Sequence, residues 1–330
     1  MKKTVILVAA ALGALAAVYL VIDIGFAAIA AAIVSFGWTG FAVVCTLVIV
    51  QFALLSAAWC VLVPNCTLKS WPTFFWGRAV RDSAGDILPL TQLAGFVFGA
   101  RAIALRGVPT TDAYASTIVD VTAEMLAQIL FVIVGGIILF YSLGLHALHS
   151  RLLVSLFFGC LLAALGAVGF IILQNRGHEF AEGLAARLHP KMGAHADAFA
   201  RSIRAIYAAP RRVIASVAIH FIAWLGIAFV GWVAVRLIGA HVSYGSFVAI
   251  ESALSAIRSA AVIVPSAIGV QEATYAMLMP LFHVGPEIGV ALSLIRRSCS
   301  VAIGVPVLLT WQGLEGRQAL AVRARRAAEN

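Results

Sequence analysis

Apolar runs long enough to cross a lipid bilayer take up most of this chain of 330 residues. Hydrophobic residues make up 62% of the sequence and charged residues only 11%, whereas about 25% of a typical soluble domain is charged. Backbone polar groups inside a bilayer must be paired within the protein, so runs of roughly 20 apolar residues predict helices. We therefore predict an all-α, polytopic transmembrane helical bundle with about six full spans. The predicted spans lie near 4–22, 41–63, 113–143, 151–173, 213–238 and 287–311.

The first predicted span resembles a signal peptide, but it is longer than the usual apolar region of about 7–15 residues, so we predict a retained span.

Two further apolar segments, roughly 83–108 and 247–283, are interrupted by proline and glycine and carry charges. The residues concerned are Asp82, Asp86, Pro89, Gly95 and Arg101 in or just before the first, and Glu251, Arg258, Pro265, Gly269 and Glu272 in the second. Paired interrupted segments in the two halves of a membrane chain indicate a transport site. We predict that each is a re-entrant broken helix. The alternative is ordinary spans, which would give eight or more crossings.

The distribution of lysine and arginine between the connections predicts the orientation in the membrane. The N-terminus, the 174–212 connection and the 317–330 tail are basic, whereas 23–40 and 144–150 contain no Lys or Arg. We therefore predict a bacterial inner-membrane protein with both termini in the cytoplasm. The first interrupted segment has basic residues on both sides, namely Lys69, Arg78, Arg81 and Arg106. It should therefore enter from the cytoplasm and the second from outside, which is the arrangement of an inverted-topology repeat.

The chain is predicted to form a single integral membrane domain over 1–330, with halves of about 1–150 and 151–316. The 174–212 connection has apolar residues at helical spacing with basic residues between them. This pattern predicts an amphipathic helix on the cytoplasmic membrane surface, although a solvated helical loop would explain it equally well. Residues 317–330 should form a basic cytoplasmic tail.

Three polar residues in the third predicted span, Asp120, Glu124 and Gln128, recur every fourth position and so share one helix face. Two carboxylates one turn apart in a low dielectric repel each other and call for a nearby cation. The candidate partners are Arg101, Arg258, Arg296 and Arg297. This polar stripe could bind a cationic headgroup, relay protons or hold an arginine that binds phosphate. Alternatively, it joins helices through a buried ion pair.

The second interrupted segment contains the sequence PSAIGVQE at 265–272. Pro265 and Gly269 should break the helix and free backbone groups that can line a cavity. A helix that restarts after Gly269 presents its positive end to an anionic group, and Glu272 falls in its first turn. Arg258 lies too deep in the segment for a routine positive-inside residue. The alternative is a helix N-terminus at the membrane surface.

Arg296 and Arg297 lie inside the last predicted span, where a pair of arginines is costly without partners. A guanidinium group binds carboxylate or phosphate through two parallel hydrogen bonds. Phosphate recognition and internal pairing with Asp120 or Glu124 are therefore both open.

The first interrupted segment offers Asp86, which could cap the helix after the break. Arg101 either marks the cytoplasmic end of this segment or contacts the substrate.

The sequence contains no P-loop, HExxH or GxSxG motif and no clustered His and Cys ligands, so we expect no metal and no cofactor. No role is assigned to the five cysteines. The net charge of +9 lies on the predicted inner face and indicates topology rather than nucleic-acid binding.

In order along the chain, the first broken segment, the D-x-x-x-E-x-x-x-Q stripe, the PSAIGVQE motif and the Arg-Arg pair resemble those of a known family. The chain is similar to flippase-like membrane proteins related to the transmembrane flippase domain of lysylphosphatidylglycerol synthases. It looks most like the hopanoid-biosynthesis-associated, HpnL-like branch, over about residues 5–315. The resemblance implies that the family's characteristic positions are Asp120, Glu124, Pro265, Gly269, Glu272, Arg296 and Arg297. In the family, Gly-Gly-Glu usually follows the first break, but here Ala94-Gly95-Phe96 stands there, so the acid is missing.

These features together predict a transporter or flippase that moves a polar-headed membrane lipid across the inner membrane. Phospholipid, isoprenoid-linked and hopanoid-related lipids are the candidates, and resemblance alone suggests the last. One alternative is an intramembrane enzyme that transfers or hydrolyses a headgroup with Glu124 or Glu272 as general base. Another is a non-catalytic scaffold for lipid-synthesis enzymes, which are further candidate partners. The oligomeric state stays open.

Overall fold

The structure is a computed structural model that describes residues 22–23, 25–64, 66–88, 92–143, 190–261, 264 and 267–329. This part of the chain is helical and contains no strand, which confirms the predicted all-α fold. The helices are α1 (Phe26–Leu62), α2 (Trp71–Ile87), α3 (Gln92–Ala104), α4 (Thr110–Leu143), α5 (Pro190–Tyr207), α6 (Pro210–Ile238), α7 (Tyr244–Ala260), α8 (Val270–Leu278) and α9 (Pro286–Glu329). A 3-10 helix, Met279–Phe282, connects α8 towards α9.

Four of these helices are long and apolar enough to cross a membrane, namely Phe26–Leu62, Thr110–Ser142, Pro210–Ile238 and Pro286–Arg317. They confirm the spans predicted near 41–63, 113–143, 213–238 and 287–311. The spans predicted near 4–22 and 151–173 lie outside the described residues. Helix α1 is bent at Gly37, whose φ of 63° and ψ of 178° lie outside the helical region. Glycine accepts this conformation without a Cβ clash, so the long span can begin after it.

Each interrupted segment forms two helices separated by a break. Helix α2 ends at Ile87 and α3 begins at Gln92, while α7 ends at Ala260 and α8 begins at Val270. Pro89 and Pro265 themselves lie outside the described residues. The helix before each break begins earlier than the apolar pattern predicted, at Trp71 and at Tyr244. We call α2–α3 the first hairpin and α7–α8 the second hairpin.

The helices of the two halves cross each other extensively. Helices α1 and α6 pack along one another. Helix α4 packs on α6 and α7, and α9 packs on α1 and α2. The helix before each break therefore lies against the long helix that follows the other break. The largest buried cluster lies where α6, α7, α8 and α9 meet, and it includes Phe247, Tyr275 and Leu292.

Glycines bring the two helices of the first hairpin unusually close. A Cβ atom at Gly95 would lie 2.5 Å from the carbonyl oxygen of Arg81, and one at Gly99 would lie 3.0 Å from the carbonyl oxygen of Gly77. A Cβ atom at Gly77 would lie 2.3 Å from Ile103. Two glycines four residues apart let helix backbones approach closely in membrane proteins. The first hairpin is therefore closed along its length.

The connection predicted as amphipathic contains helix α5, and residues 174–189 lie outside the described part. Ala200, Ile203 and Ile206 are buried against α4 and α6, while Arg201 and Arg204 are exposed. The helix is thus amphipathic, and its place on the cytoplasmic membrane surface stays a prediction.

A disulfide joins Cys60 to Cys66 in the turn after α1. We had assigned these cysteines no role, because their spacing matches no common redox or metal motif. The disulfide lies beside Trp59 and Phe74, whose rings are in edge contact and fully buried.

Replacing Gly95 by alanine should destabilise the first hairpin. The new methyl group would meet a backbone oxygen that no rotamer change can move, so we expect a loss of about 1–3 kcal/mol. Gly136→Ala is the matched control, because a Cβ atom there meets nothing within 4 Å. Thermal unfolding in one detergent tests this. Equal unfolding temperatures for the two variants would contradict the close approach of α2 and α3.

Candidate functional site

Buried ion pairs link α2 to α4, the long helix that carries the polar stripe. Arg78 donates from Nη1 and Nη2 to the carboxylate of Glu124, at 3.0 and 2.8 Å, and from Nε to Asp82 at 2.7 Å. Arg81 donates to Asp120 and to Glu124, each at 2.6 Å. We call Arg78, Arg81, Asp82, Asp120 and Glu124, together with His220 of α6, the first ion cluster.

The partners of the polar stripe are therefore not the arginines that we expected. Arg101, Arg258, Arg296 and Arg297 all lie elsewhere. Arg78 and Arg81 had been interpreted as basic flanks of the first interrupted segment, but α2 begins early enough to carry both inside the fold. Their side chains are only 4% exposed. Gln128 does not join the cluster, since it donates to the carbonyl of Ser255 and to the hydroxyl of Ser259 on α7.

Asp120, Glu124 and His220 place possible ligand atoms within 4.8 Å of one another, an arrangement that can hold a metal ion. Arg78 and Arg81 already hydrogen-bond both carboxylates and supply positive charge at that point. His220 Nε2 lies 2.9 Å from the other oxygen of Asp120. The guanidinium groups thus take the place that a metal cation would fill, and these residues do not favour a metal site.

A second group of ion pairs links the second hairpin to α9. Arg296 Nη1 lies 2.5 Å from Glu251 of α7 and donates to the hydroxyl of Tyr275 of α8. Tyr275 in turn donates to Glu251. Arg297 Nε donates to Glu272 at 2.8 Å. We call Glu251, Glu272, Tyr275, Arg296 and Arg297 the second ion cluster.

Glu272 also lies in the first turn of helix α8, which begins at Val270. Gly269, with φ at 79°, is its N-cap, and the amide of Gly269 donates to Glu272 Oε2 at 2.8 Å, half of a capping box. Ser293 donates to the other oxygen of Glu272, and Gln271 donates to Ser293. The polar side chains at the start of α8 are therefore all directed to α9.

Arg296 and Arg297 thus pair with Glu251 and Glu272, and not with Asp120 or Glu124 as the sequence suggested. Internal pairing was one of the two interpretations, but its partners were assigned wrongly. Glu251 lies on α7, which the chain brings beside α9 only through the fold of the second hairpin.

The two ion clusters use corresponding positions with opposite charges. Arg78 and Glu251 lie equally far from the first residues of α2 and α7, which have the same length of 17 residues. Asp120 and Arg296 lie equally far from the first residues of α4 and α9. In each half the pair joins the helix before the break to the long helix after it. The arginine is on the short helix in the first half and on the long helix in the second.

Phe96 takes the position of the missing acid of the first hairpin. It follows Pro89 at the same interval at which Glu272 follows Pro265. The guanidinium carbon of Arg81 lies 4.5 Å from the centre of the Phe96 ring, a cation–π contact. Among the described residues Arg81 Nε has no hydrogen-bond partner, whereas Arg297 Nε has Glu272. An aromatic face thus replaces a carboxylate beside the arginine.

Three other predicted site residues lie apart from the ion clusters. Arg101 is half exposed and pairs with Glu315 of α9. Asp86 is exposed at the end of α2 and accepts a hydrogen bond of 3.1 Å from Ser300. Arg258 is half-buried in the last turn of α7, and within the described part of the chain it has no hydrogen bond or ion pair.

Arg258 and Arg297 both approach the break of the second hairpin. Arg258 lies two turns beyond Glu251 on the same face of α7, about 10 Å closer to the break. Arg297 Nη2 donates to the carbonyl of Ala267 within the break at 3.4 Å. The side chains of Arg296 and Arg297 are 21% and 29% exposed, compared with 4% for Glu251 and Glu272. The charged groups that keep exposed surface near this break are therefore the guanidinium groups of the arginines.

The structure predicts very different costs for two Arg→Met substitutions. Arg78→Met leaves three carboxylates with one arginine in a buried cluster, so we expect a loss of about 3–5 kcal/mol. Arg101→Met removes an exposed pair and should cost about 0–1 kcal/mol. Thermal unfolding of both variants in one detergent gives the comparison. A similar fall in both would show that the first ion cluster is not a principal support of the fold.

Glu251 and Arg296 should be energetically coupled. A double-mutant cycle with Glu251→Gln, Arg296→Gln and the double variant should give a coupling of about 0.5–3 kcal/mol, because each single change leaves one charge buried alone. The same cycle on Glu251 and Arg236, which is exposed and contacts His241, should be additive. Additivity in both cycles would exclude a direct pair.

The family model described as the lysylphosphatidylglycerol synthase TM region matches residues 6–307. No curated protein and no solved structure gives a significant match. The matched region contains both hairpins, both ion clusters, three helices able to cross a membrane and most of a fourth, Pro286–Arg317. The chain is therefore a multi-pass membrane protein that belongs to the lysylphosphatidylglycerol synthase TM region family.

Proposed function

We propose that this protein transports a lipid with an anionic, phosphate-containing headgroup across the membrane. Membership of a family of lipid-related membrane domains supports a role in lipid chemistry or movement. The observation that carries the proposal is Arg258, a guanidinium at a helix break that has no partner among the described residues. An arginine inside a membrane protein needs an anion, and phosphate matches its hydrogen-bond donors.

Arg297 and Arg296 would contact the phosphate after Arg258 has bound it. Both are paired with carboxylates in this structure, so neither offers an unoccupied fork of donors. A phosphate held near the break could displace Glu272 from Arg297, because both are anions that accept from the same guanidinium. Such an exchange of one anion for another keeps the arginine paired throughout. It therefore avoids the cost of an isolated charge at low dielectric.

The arrangement of the two hairpins supports alternating access by two related halves. Each half consists of a helix, a break, a second helix and a long helix, and the packing between elements follows the same pattern in both. We propose that the hairpins are re-entrant and related as an inverted repeat, with one entering from each side. In transporters built this way, substrate lies near the bilayer midplane at discontinuous helices.

The inner membrane, cytoplasmic termini and a hopanoid-related cargo are the finer parts of the proposal. The first two rest on the distribution of lysine and arginine, and the last rests on family resemblance alone. An enzyme with Glu124 or Glu272 as general base is disfavoured, because both carboxylates accept hydrogen bonds from arginines. A scaffold role would not require an arginine at a helix break for which the described residues provide no partner.

Lipid movement in proteoliposomes tests the proposal. Labelled phosphatidylglycerol should reach the opposite leaflet faster with protein than in protein-free vesicles, with and without a proton gradient. Arg258→Gln should reduce this rate about tenfold or more, because a hydrogen bond to a charged group contributes about 1.5–3 kcal/mol. Arg236→Gln is the matched control and should keep the wild-type rate, since Arg236 is exposed and lies far along the chain from the break.

Two results would contradict the proposal. One is a wild-type rate equal to that of protein-free vesicles for phosphatidylglycerol and for other candidate phospholipids. The other is a chemically altered lipid recovered from the vesicles without movement, which would favour the enzyme.

A further inference from the structure

The second hairpin is open where the first is closed. Helices α2 and α3 touch along their length through Gly77, Gly95 and Gly99, whereas α7 and α8 make far less contact. Between α7 and α8 lies a groove of about 210 Å³. Its lining consists of Ile257, Val270, Ala273, Thr274, Met277 and Leu278.

The groove is apolar because α8 separates its two kinds of side chain. The lining residues recur at three- and four-residue intervals and so form one face of α8. Gln271, Glu272 and Tyr275 form the opposite face and are bound by α9. The hydroxyl of Thr274 donates to the carbonyl of Val270 within the helix, at 2.7 Å. No lining side chain therefore directs a free hydrogen-bonding group into the groove.

The groove's lining lies next in sequence to Arg258, for which the described residues provide no partner. Ile257 is the lining residue on α7, and Arg258 follows it directly in the last turn of that helix. From there the groove follows α8 to Met277, which is 61% exposed. An apolar groove with an arginine next in sequence to its lining complements a molecule with an anionic head and a hydrocarbon chain.

We infer that the groove between α7 and α8 binds a hydrocarbon chain of the same lipid whose phosphate meets Arg258. This inference rests on the proposed function and adds to it that the lipid is recognised by its chain as well as its head. The lipid would enter through the open side of the second hairpin while its chain stays in an apolar environment. The first hairpin has no space for such a chain between α2 and α3.

Photo-crosslinking of a lipid chain tests the inference. The full-length protein in vesicles is irradiated with phosphatidylglycerol that carries a diazirine near the end of one acyl chain. Labelled peptides are then identified by mass spectrometry. Wild-type label should concentrate on peptides containing Ile257 and 270–278. Ala273→Trp, which fills the groove, should reduce that label severalfold, because the indole ring occupies the space in which the chain contacts the lining residues.

Matched variants separate loss of the groove from loss of the fold. Ala218→Trp places the same side chain at an exposed position of α6 and should leave the labelling unchanged. Met277→Trp is a second groove variant at an exposed position and should reduce labelling even if Ala273→Trp does not fold. Arg258→Gln should reduce the same label. Equal labelling in Met277→Trp, Ala218→Trp and the wild type would overturn the inference, as would wild-type label spread evenly over the lipid-facing helices.

The same preparations distinguish this inference from the proposed function. Specific label that Met277→Trp removes, in a protein that moves no lipid, would retain the groove and overturn transport. Lipid movement with labelling unaffected by Met277→Trp would retain transport and overturn the groove.

Discussion

Ion pairs between the short helix before each break and the long helix after it hold this structure together. Arg78 and Arg81 join α2 to α4, and Glu251 joins α7 to α9 through Arg296. In a membrane there is little hydrophobic driving force between helices, so close packing and polar contacts must fix their positions. A buried charge left without its partner costs several kcal/mol, so each cluster favours the arrangement in which its two helices meet at these side chains.

The two clusters have the same geometry but differ in what they leave accessible. In the first, three carboxylates surround two arginines that are 4% exposed, and the ring of Phe96 covers Arg81 where the second half has an acid. In the second, the carboxylates are buried and the arginines keep a fifth or more of their surface. Because the charges at corresponding positions are reversed, the first cluster keeps its arginines buried and supports the fold. The second cluster leaves its arginines partly exposed and forms a cationic surface. A single structural plan can in this way provide both stability and a place for an anion.

Sequence patterns predicted the elements of this fold better than the contacts between them. Hydropathy identified four spans that the structure describes and the two breaks, because a helix in a membrane is a local property of about 20 residues. The restart of a helix after Gly269 with Glu272 in its first turn also followed from local chemistry.

The partner of Asp120 could not be predicted from local chemistry, since pairing depends on which helices meet. Arg78 and Arg81 were misassigned because the positive-inside rule interprets any arginine near the end of an apolar segment as a flank. Their position near the middle of α2, with the acids of the stripe missing a cation, was the signal that could have identified them.

The closed first hairpin and the open second hairpin then give the two halves separate tasks. Glycines allow α2 and α3 to approach so closely that no chain fits between them, and their polar groups are directed into the first ion cluster. Helix α8 is instead held through its polar side chains, which bond to α9 and, through Tyr275, to Glu251 of α7, while its other face is apolar and lines the groove. The first half would therefore carry the stability, and the second half, whose Arg258 has no partner among the described residues, would carry the lipid.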